Sequence, residues 1–264
     1  MVAIVYLVAG MSSRFNGRVK QMAIIGPNDE TLIEYSVNQA LTCPYSKLIF
    51  VTNSSTEYLF KNIFGSNYKN IPVEYVEQKY DKNKRERPWG TTDAVCSIIN
   101  NINEPFIMVN SDDIYGINTF KKGFNLLNNS NKNIIGGIKM DKILSKDSEA
   151  NRGVIYLNNN NVINIKEMLK ISREKNPELL STFASVNFIG LQPKALEHLN
   201  KLLLQFKELN KNDPKIECLL PDYLGLLIQE QKIEIQFFEI IDEILGITYP
   251  EDEIIIKKKI EILI

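Results

Sequence analysis

Apolar runs at residues 2–9, 47–52, 71–77 and 105–111 alternate with stretches of helical period at 31–42, 56–64, 92–102 and 118–129. The runs are short and nearly continuous, as in strands buried on both faces. Strand, helix, strand, repeated, predicts a mostly parallel, Rossmann-like sheet flanked by helices, an α/β fold. Right-handed crossovers would then bring the strand C-termini to one edge, where open α/β sheets bind their ligands. The segments that leave those strand ends are the places to look for chemistry.

The pattern changes after residue 130. Shorter strands are expected at 133–140, 152–159, 161–168 and 181–192, some of them linked as hairpins. Helices follow at 193–209 and 216–231, then a strand at 232–240 and a last helix from residue 251. No linker-like stretch separates the halves, so residues 1–264 are expected to form a single domain with halves at 1–130 and 131–264.

Several chemistries lack raw material. His198 is the only histidine, which removes Ser-His-Asp, Cys-His and histidine-metal sites. Cys43, Cys96 and Cys218 are widely spaced with no CxxC pair, which argues against a disulfide framework or a zinc site and for reduced, buried thiols. Net charge is −1, so no global basic field draws the chain to nucleic acid or an anionic membrane. The apolar start has no basic region before it and no run reaches transmembrane length, so a cytoplasmic protein is expected.

Three segments at predicted strand ends carry the remaining signal. In LVAGMSSRFNGRVK (7–20), a buried strand stops at Gly10, and Arg14 and Lys20 follow. Glycine there admits close approach of backbone N–H groups to an anion, and the two cations suit phosphate. The spacing is neither GxxxxGK[ST] nor GxGxxG, which excludes the P-loop and dinucleotide motifs. In ERPWGTTDAV (86–95), Pro88 to Gly90 form a rigid loop where a planar base can lie against the backbone, and Thr91 starts a helix that it can cap. In FIMVNSDDIYG (106–116), a buried strand delivers Asp112 and Asp113 side by side. Paired carboxylates call for a cation, and a hard metal such as Mg²⁺ is the usual one; Asp113 could instead cap the next helix.

In this order the segments resemble the glycine-rich turn, the PxGTAxA segment and the metal aspartate of the sugar-1-phosphate nucleotidyltransferases. GPNDETLIEYSVNQAL (26–41) and ILGITYPEDE (244–253) resemble further segments of one bacterial branch, so the likeness spans the chain. Ser12 stands where the family has its second glycine, Thr92 follows the GT pair, and Ser111 precedes Asp112.

The resemblance implies a GT-A-like fold with a nucleotide-binding first half and a sugar-phosphate-binding second half. It implies condensation of a nucleoside triphosphate with a sugar 1-phosphate to a nucleotide sugar and pyrophosphate. UTP ranks ahead of dTTP and CTP, and N-acetylglucosamine 1-phosphate ahead of glucose 1-phosphate. Arg14, Lys20 and Asp112 would be catalytic; Leu7, Ala9, Gly10, Met11, Gln78, Gly90 and Thr91 would bind nucleotide; and Gly137, Glu167 and Asn187 would bind sugar. Asp112 would hold Mg²⁺, with Asp252 or Asp242 as second ligand. The partners are small molecules, and related enzymes form homo-oligomers. Three rivals stay open: a GT-A glycosyltransferase, which has no triphosphate to cradle; a non-catalytic nucleotide-binding relative; and a cytidylyltransferase of a non-sugar phosphate.

Overall fold

In the first strand, β1 (Ala3–Leu7), side chains alternate between two apolar environments. Ala3 and Val5 enter one cluster, while Ile4 and Tyr6 enter another. That division shows a sheet covered on both faces. The computed structural model describes residues 1–10, 18–144, 149–247 and 249–263.

The first half adds β2 (Leu48–Thr52), β3 (Asn67–Tyr68), β4 (Ile71–Glu77), β5 (Phe106–Asn110) and β6 (Asp113–Ile114). Four of these strands, in the order β4-β2-β1-β5, are parallel, as the alternation of runs predicts. Helix α1 (Leu32–Ala40) begins with a capping box: the Glu34 N–H donates to the Thr31 hydroxyl at 3.3 Å, and the Thr31 N–H donates to Glu34 at 2.9 Å. Helix α2 (Glu57–Phe64) packs Phe60 and Phe64 on the same face of the sheet as α1. Helix α3 (Thr91–Cys96) covers the opposite face and ends earlier than the predicted 92–102, because its continuation tightens into three-residue turns through Asn101. Helix α4 (Ile117–Asn128) returns to the α1 face through Phe120, Phe124 and Leu127.

The second half contributes β7 (Asn133–Lys139), α5 (Met140–Ile143), β8 (Ala150–Asn158), β9 (Asn161–Ile171), β10 (Phe183–Leu191), α6 (Pro193–Leu209), α7 (Leu220–Gln229), β11 (Ile235–Glu239), β12 (Leu245–Gly246) and α8 (Asp252–Leu263). Here strand direction is mixed, in keeping with the hairpin-linked strands expected after residue 130. β10 inserts between β5 and β7 and is antiparallel to both, while β11 runs parallel to β7. Among the described residues the sheet has ten strands in the order β3-β4-β2-β1-β5-β10-β7-β11-β9-β8, and β8 also pairs back onto β10. Strands β10, β7, β11, β9 and β8 therefore close into a ring, filled by Phe183, Phe237, Ile155 and Ile165.

A separate two-stranded ladder joins β12 to β6, with Gly246 opposite Asp113. Helix α8 seats Ile256 and Ile260 on the small core beneath it, which also holds Leu245 and Ile247 against Ile114 of β6. No helix among the described residues is long and apolar enough to cross a membrane.

Phe188 locks β10 in its central place. Its ring is fully buried and meets Tyr115, Phe120 and Phe238 at centroid distances of 5.5, 5.5 and 5.7 Å. Phe188→Ala should lower stability by about 3–5 kcal/mol, read as a reduced urea midpoint with an unchanged m-value.

Candidate active site

Two cavities open at the sheet edge where the parallel strands end. The first, about 610 Å³, is lined by residues just beyond β1, β2 and β4, including Ala9, Gly10, Asn53 and Gln78, with Pro88 from the next loop. Asn53 binds two of these loops together. Its side-chain N–H donates to the Ala9 carbonyl at 3.1 Å, and its Oδ1 accepts from the Ser55 and Thr56 N–H groups at 3.0 Å. Arg18, Lys79 and Lys82 also line this cavity, so it carries cations suited to phosphate.

The loop at 88–92 is held from the second half of the chain. The Cys218 N–H donates to the Trp89 carbonyl at 2.7 Å, and the Thr92 N–H donates to the Cys218 carbonyl at 3.1 Å. Gly90 has φ +99°, and a Cβ there would meet the Cys218 carbonyl oxygen at 2.7 Å, so both conformation and space require glycine. Thr91 does not cap its own helix; its hydroxyl accepts the Leu220 N–H at 2.9 Å and satisfies the start of α7. The Arg85 guanidinium lies 3.4 Å from the Trp89 ring centroid and donates to the carbonyls of Arg87, Asp213 and Ile216. The Gln78 Nε2 donates to the Gly90 carbonyl at 3.1 Å and to Asp93 at 2.8 Å, and Asp93 is paired with Lys207 of α6.

At the end of β5, Lys20 pairs with the Asp112 carboxylate. Ser111 is tied down on both sides: its hydroxyl donates to the Leu7 carbonyl at 2.7 Å and accepts from Gln21 Nε2 at 2.9 Å. The Ile247 N–H donates to the Asp112 carbonyl at 3.1 Å, which draws the C-terminal segment across the site. Asp113, half-buried beside Asp112, accepts from Asn110 Nδ2 at 2.9 Å and from the Tyr115 hydroxyl at 3.4 Å. Burial, followed by the Asp112 charge, pushes the Asp113 carboxyl above its ordinary value. Asp113 does not cap α4. That role falls to Asp242, which accepts from the Thr119 N–H at 2.8 Å and the Thr119 hydroxyl at 3.1 Å.

The second cavity, about 740 Å³, includes Asp112, Glu167, Asn187, Asp242, Lys142 and Arg152 in its lining. Asn187 adopts φ +59° in the irregular stretch of β10, and its side-chain N–H donates to Asn110 Oδ1 at 3.2 Å. Asn110, Asp113 and Asn187 thus form one hydrogen-bonded line from the carboxylate pair to the cavity wall. The Glu167 carboxyl is shifted upward by burial and then by Asp222.

The structure separates the sequence-predicted residues into groups. Ala9, Gly10 and Gln78 line the first cavity; Asp112, Glu167 and Asn187 line the second. Leu7 sits at the end of β1 with its carbonyl bound to Ser111. Gly137 is buried within β7, where a Cβ would meet Ile155 and Phe237 at 2.9 Å, so packing accounts for its lack of a side chain. Met11 and Arg14 lie outside the described residues. Asp252 accepts the Tyr249 N–H at 2.8 Å before α8, whereas Asp242 shares the second cavity with Asp112. Sequence reasoning passed over Asn53, Lys142 and Arg152; of these only Asn53, following directly on a buried strand, stood at a position that could have flagged it.

The donor set constrains any metal. Among the described residues, no three His, Cys, Asp or Glu side chains group to hold an ion by themselves. One partly exposed aspartate with a second carboxylate on the same cavity fits a hard, oxygen-liganded cation completed by substrate phosphates.

Residues 8–225 match the model of the nucleotidyl transferase family. Solved structures share the fold. One, assigned as a glucose-1-phosphate thymidylyltransferase from Bacillus anthracis in complex with sucrose, is 13% identical, with TM-score 0.75 over 98% of this chain and 95% of that one. A UDP-glucose pyrophosphorylase complexed with UDP-glucose is 20% identical, with TM-score 0.70 over the whole of both chains. The inositol-1-phosphate CTP transferase from T. maritima is 13% identical, with TM-score 0.68 over 98% of this chain and 96% of that one. No curated protein sequence matches. The family match runs from the end of β1 through the Asp112 site and into α7, and on that match the chain belongs to the nucleotidyl transferase family.

Proposed function

We propose that this nucleotidyltransferase condenses UTP with a sugar 1-phosphate, N-acetylglucosamine 1-phosphate first and glucose 1-phosphate next, to give a UDP-sugar and pyrophosphate. The observation that carries the reading is the pairing of cavities at one sheet edge. The first is lined by cations and Gln78; the second by Asp112, Glu167 and Asn187. We take residues 1–130 as the nucleotide half and 131–264 as the sugar half of one catalytic unit.

The sugar phosphate oxygen is the nucleophile and is already ionised near neutral pH, so no general base is required. It attacks the α-phosphorus in line; the new P–O bond forms as the bond to the bridging β-phosphate oxygen breaks, and pyrophosphate leaves. Catalysis is then positioning and charge stabilisation. Lys20, with Arg14, neutralises the triphosphate and the leaving group. Ala9, Gly10, Met11, Gly90 and Thr91 offer backbone groups to the nucleotide, beside Leu7 and Gln78. Asp112 would hold Mg²⁺, with Asp242 favoured over Asp252 as second ligand because it lines the second cavity with Asp112. When bound, the ion would supply charge neutralisation for the phosphates. Glu167 and Asn187 orient the sugar through its hydroxyl and acyl groups.

The experiment is pyrophosphate release with Mg²⁺, across five nucleoside triphosphates against a panel of sugar 1-phosphates. Release with UTP and N-acetylglucosamine 1-phosphate supports the full reading; another productive pair corrects the specificity; silence from folded protein sinks the reaction. Asp112→Ala should abolish turnover with an unchanged melting temperature, and near-wild-type activity would refute the metal assignment. Arg14→Ala should cost at least ~2 kcal/mol of transition-state stabilisation, seen as a fall in kcat/KM. Glu167→Gln should raise KM for the sugar 1-phosphate more than KM for UTP, and the reverse pattern would remove Glu167 from the sugar side.

A further inference from the structure

The orientation of the Gln78 amide is dictated by its neighbours. The side chain is buried, and Nε2 places one hydrogen on the Gly90 carbonyl at 3.1 Å and the other on Asp93 Oδ2 at 2.8 Å. Both partners are acceptors. Turned over, the amide would set its own oxygen against a carbonyl and a carboxylate. Nε2 is therefore fully used, and Oε1 is the polar atom that remains for the cavity, which Gln78 lines. Among the described residues no side-chain donor competes for it.

That arrangement needs an acceptor at Asp93, whose side chain is only 6% exposed. A buried carboxylate is costly unless a cation pairs with it, so an unpaired Asp93 would swing away from the amide, which could then turn. Lys207 prevents this. It reaches from α6 to the other Asp93 oxygen, with its ammonium 6.0 Å from the Trp89 ring centroid.

We propose that the Asp93–Lys207 pair is a positioning device that offers the nucleobase only the Gln78 carbonyl oxygen, and so selects bases that carry hydrogen on pyrimidine N3. Uracil and thymine donate from N3; cytosine presents a bare acceptor there. The inference rests on the base site read at Gln78, and neither Asp93 nor Lys207 touches nucleotide.

Isothermal titration of the full chain with MgUTP, MgdTTP and MgCTP, without sugar phosphate, tests it. Wild type should bind UTP and dTTP at least about tenfold more tightly than CTP, the scale of one buried acceptor left facing another. Asp93→Asn, whose amide can donate to a turned Gln78, should narrow that ratio by at least about threefold, and so should Lys207→Met. Lys207→Arg keeps the cation and should keep the ratio. A general loss of packing would weaken all three nucleotides alike and leave the ratio unmoved. Equal UTP and CTP affinity in wild type overturns the proposal whatever the variants do. So does an unchanged ratio in variants that still bind. Wild type that binds none of the three nucleotides instead removes the base site on which the inference rests.

Discussion

Two carboxylates side by side at the end of a buried strand are unfavourable unless cations and hydrogen-bond donors meet them, and Asp112 and Asp113 are met from four directions. Lys20 arrives from the segment after β1. Asn110 and Tyr115 donate to Asp113 from the strand end itself. The C-terminal ladder holds the main chain through Ile247 and Gly246. Asn187 extends the line into the second cavity. Residues far apart in the chain thus converge on one short stretch, and the proposed reaction depends on that convergence because it would work by placing charge rather than by moving protons.

The loop at 88–92 shows a matching dependence. Its residues belong to the first half, yet Cys218, Leu220 and Lys207 supply the hydrogen bonds and charge that fix it. Neither half would hold the first cavity in shape alone. The ring of strands in the second half gives α6 and α7 a rigid seat, since Leu199, Leu203, Leu224 and Leu227 share a core with Ile155, Ile165 and Phe237.

Much of this was legible from local pattern. The four parallel strands, with α1, α2 and α4, follow the apolar periodicity within a residue or two, whereas α3 stops six residues early; Asp112 and Lys20 were named from the segments where the structure finds them paired. What escaped was long-range. β6 and β12 are two residues each, too short to leave a periodic trace, so the ladder that pins the C-terminal segment was invisible. The antiparallel insertion of β10 is a matter of which strands meet, which hydropathy does not encode. Capping was misassigned for the same reason. Thr91 and Asp242 each serve a helix distant in sequence, whereas local rules look only to the adjoining one. At Gly137 the side chains packed around it leave no room for a Cβ, a constraint that local pattern does not carry.

The place of β10 also orders events during synthesis. β1, β2, β4 and β5 can pair as soon as residue 110 is made, but the outer edge of β5 has no partner until residues 189–191 have been translated. Some eighty residues of chain must leave the ribosome before that edge is covered, at roughly 5–20 residues per second. For several seconds a nascent chain carries an open strand of Phe106, Ile107 and Met108, the kind of edge that recruits other chains. How long that edge stays open during synthesis therefore follows from where one strand lies in the gene, not from the stability of the finished protein.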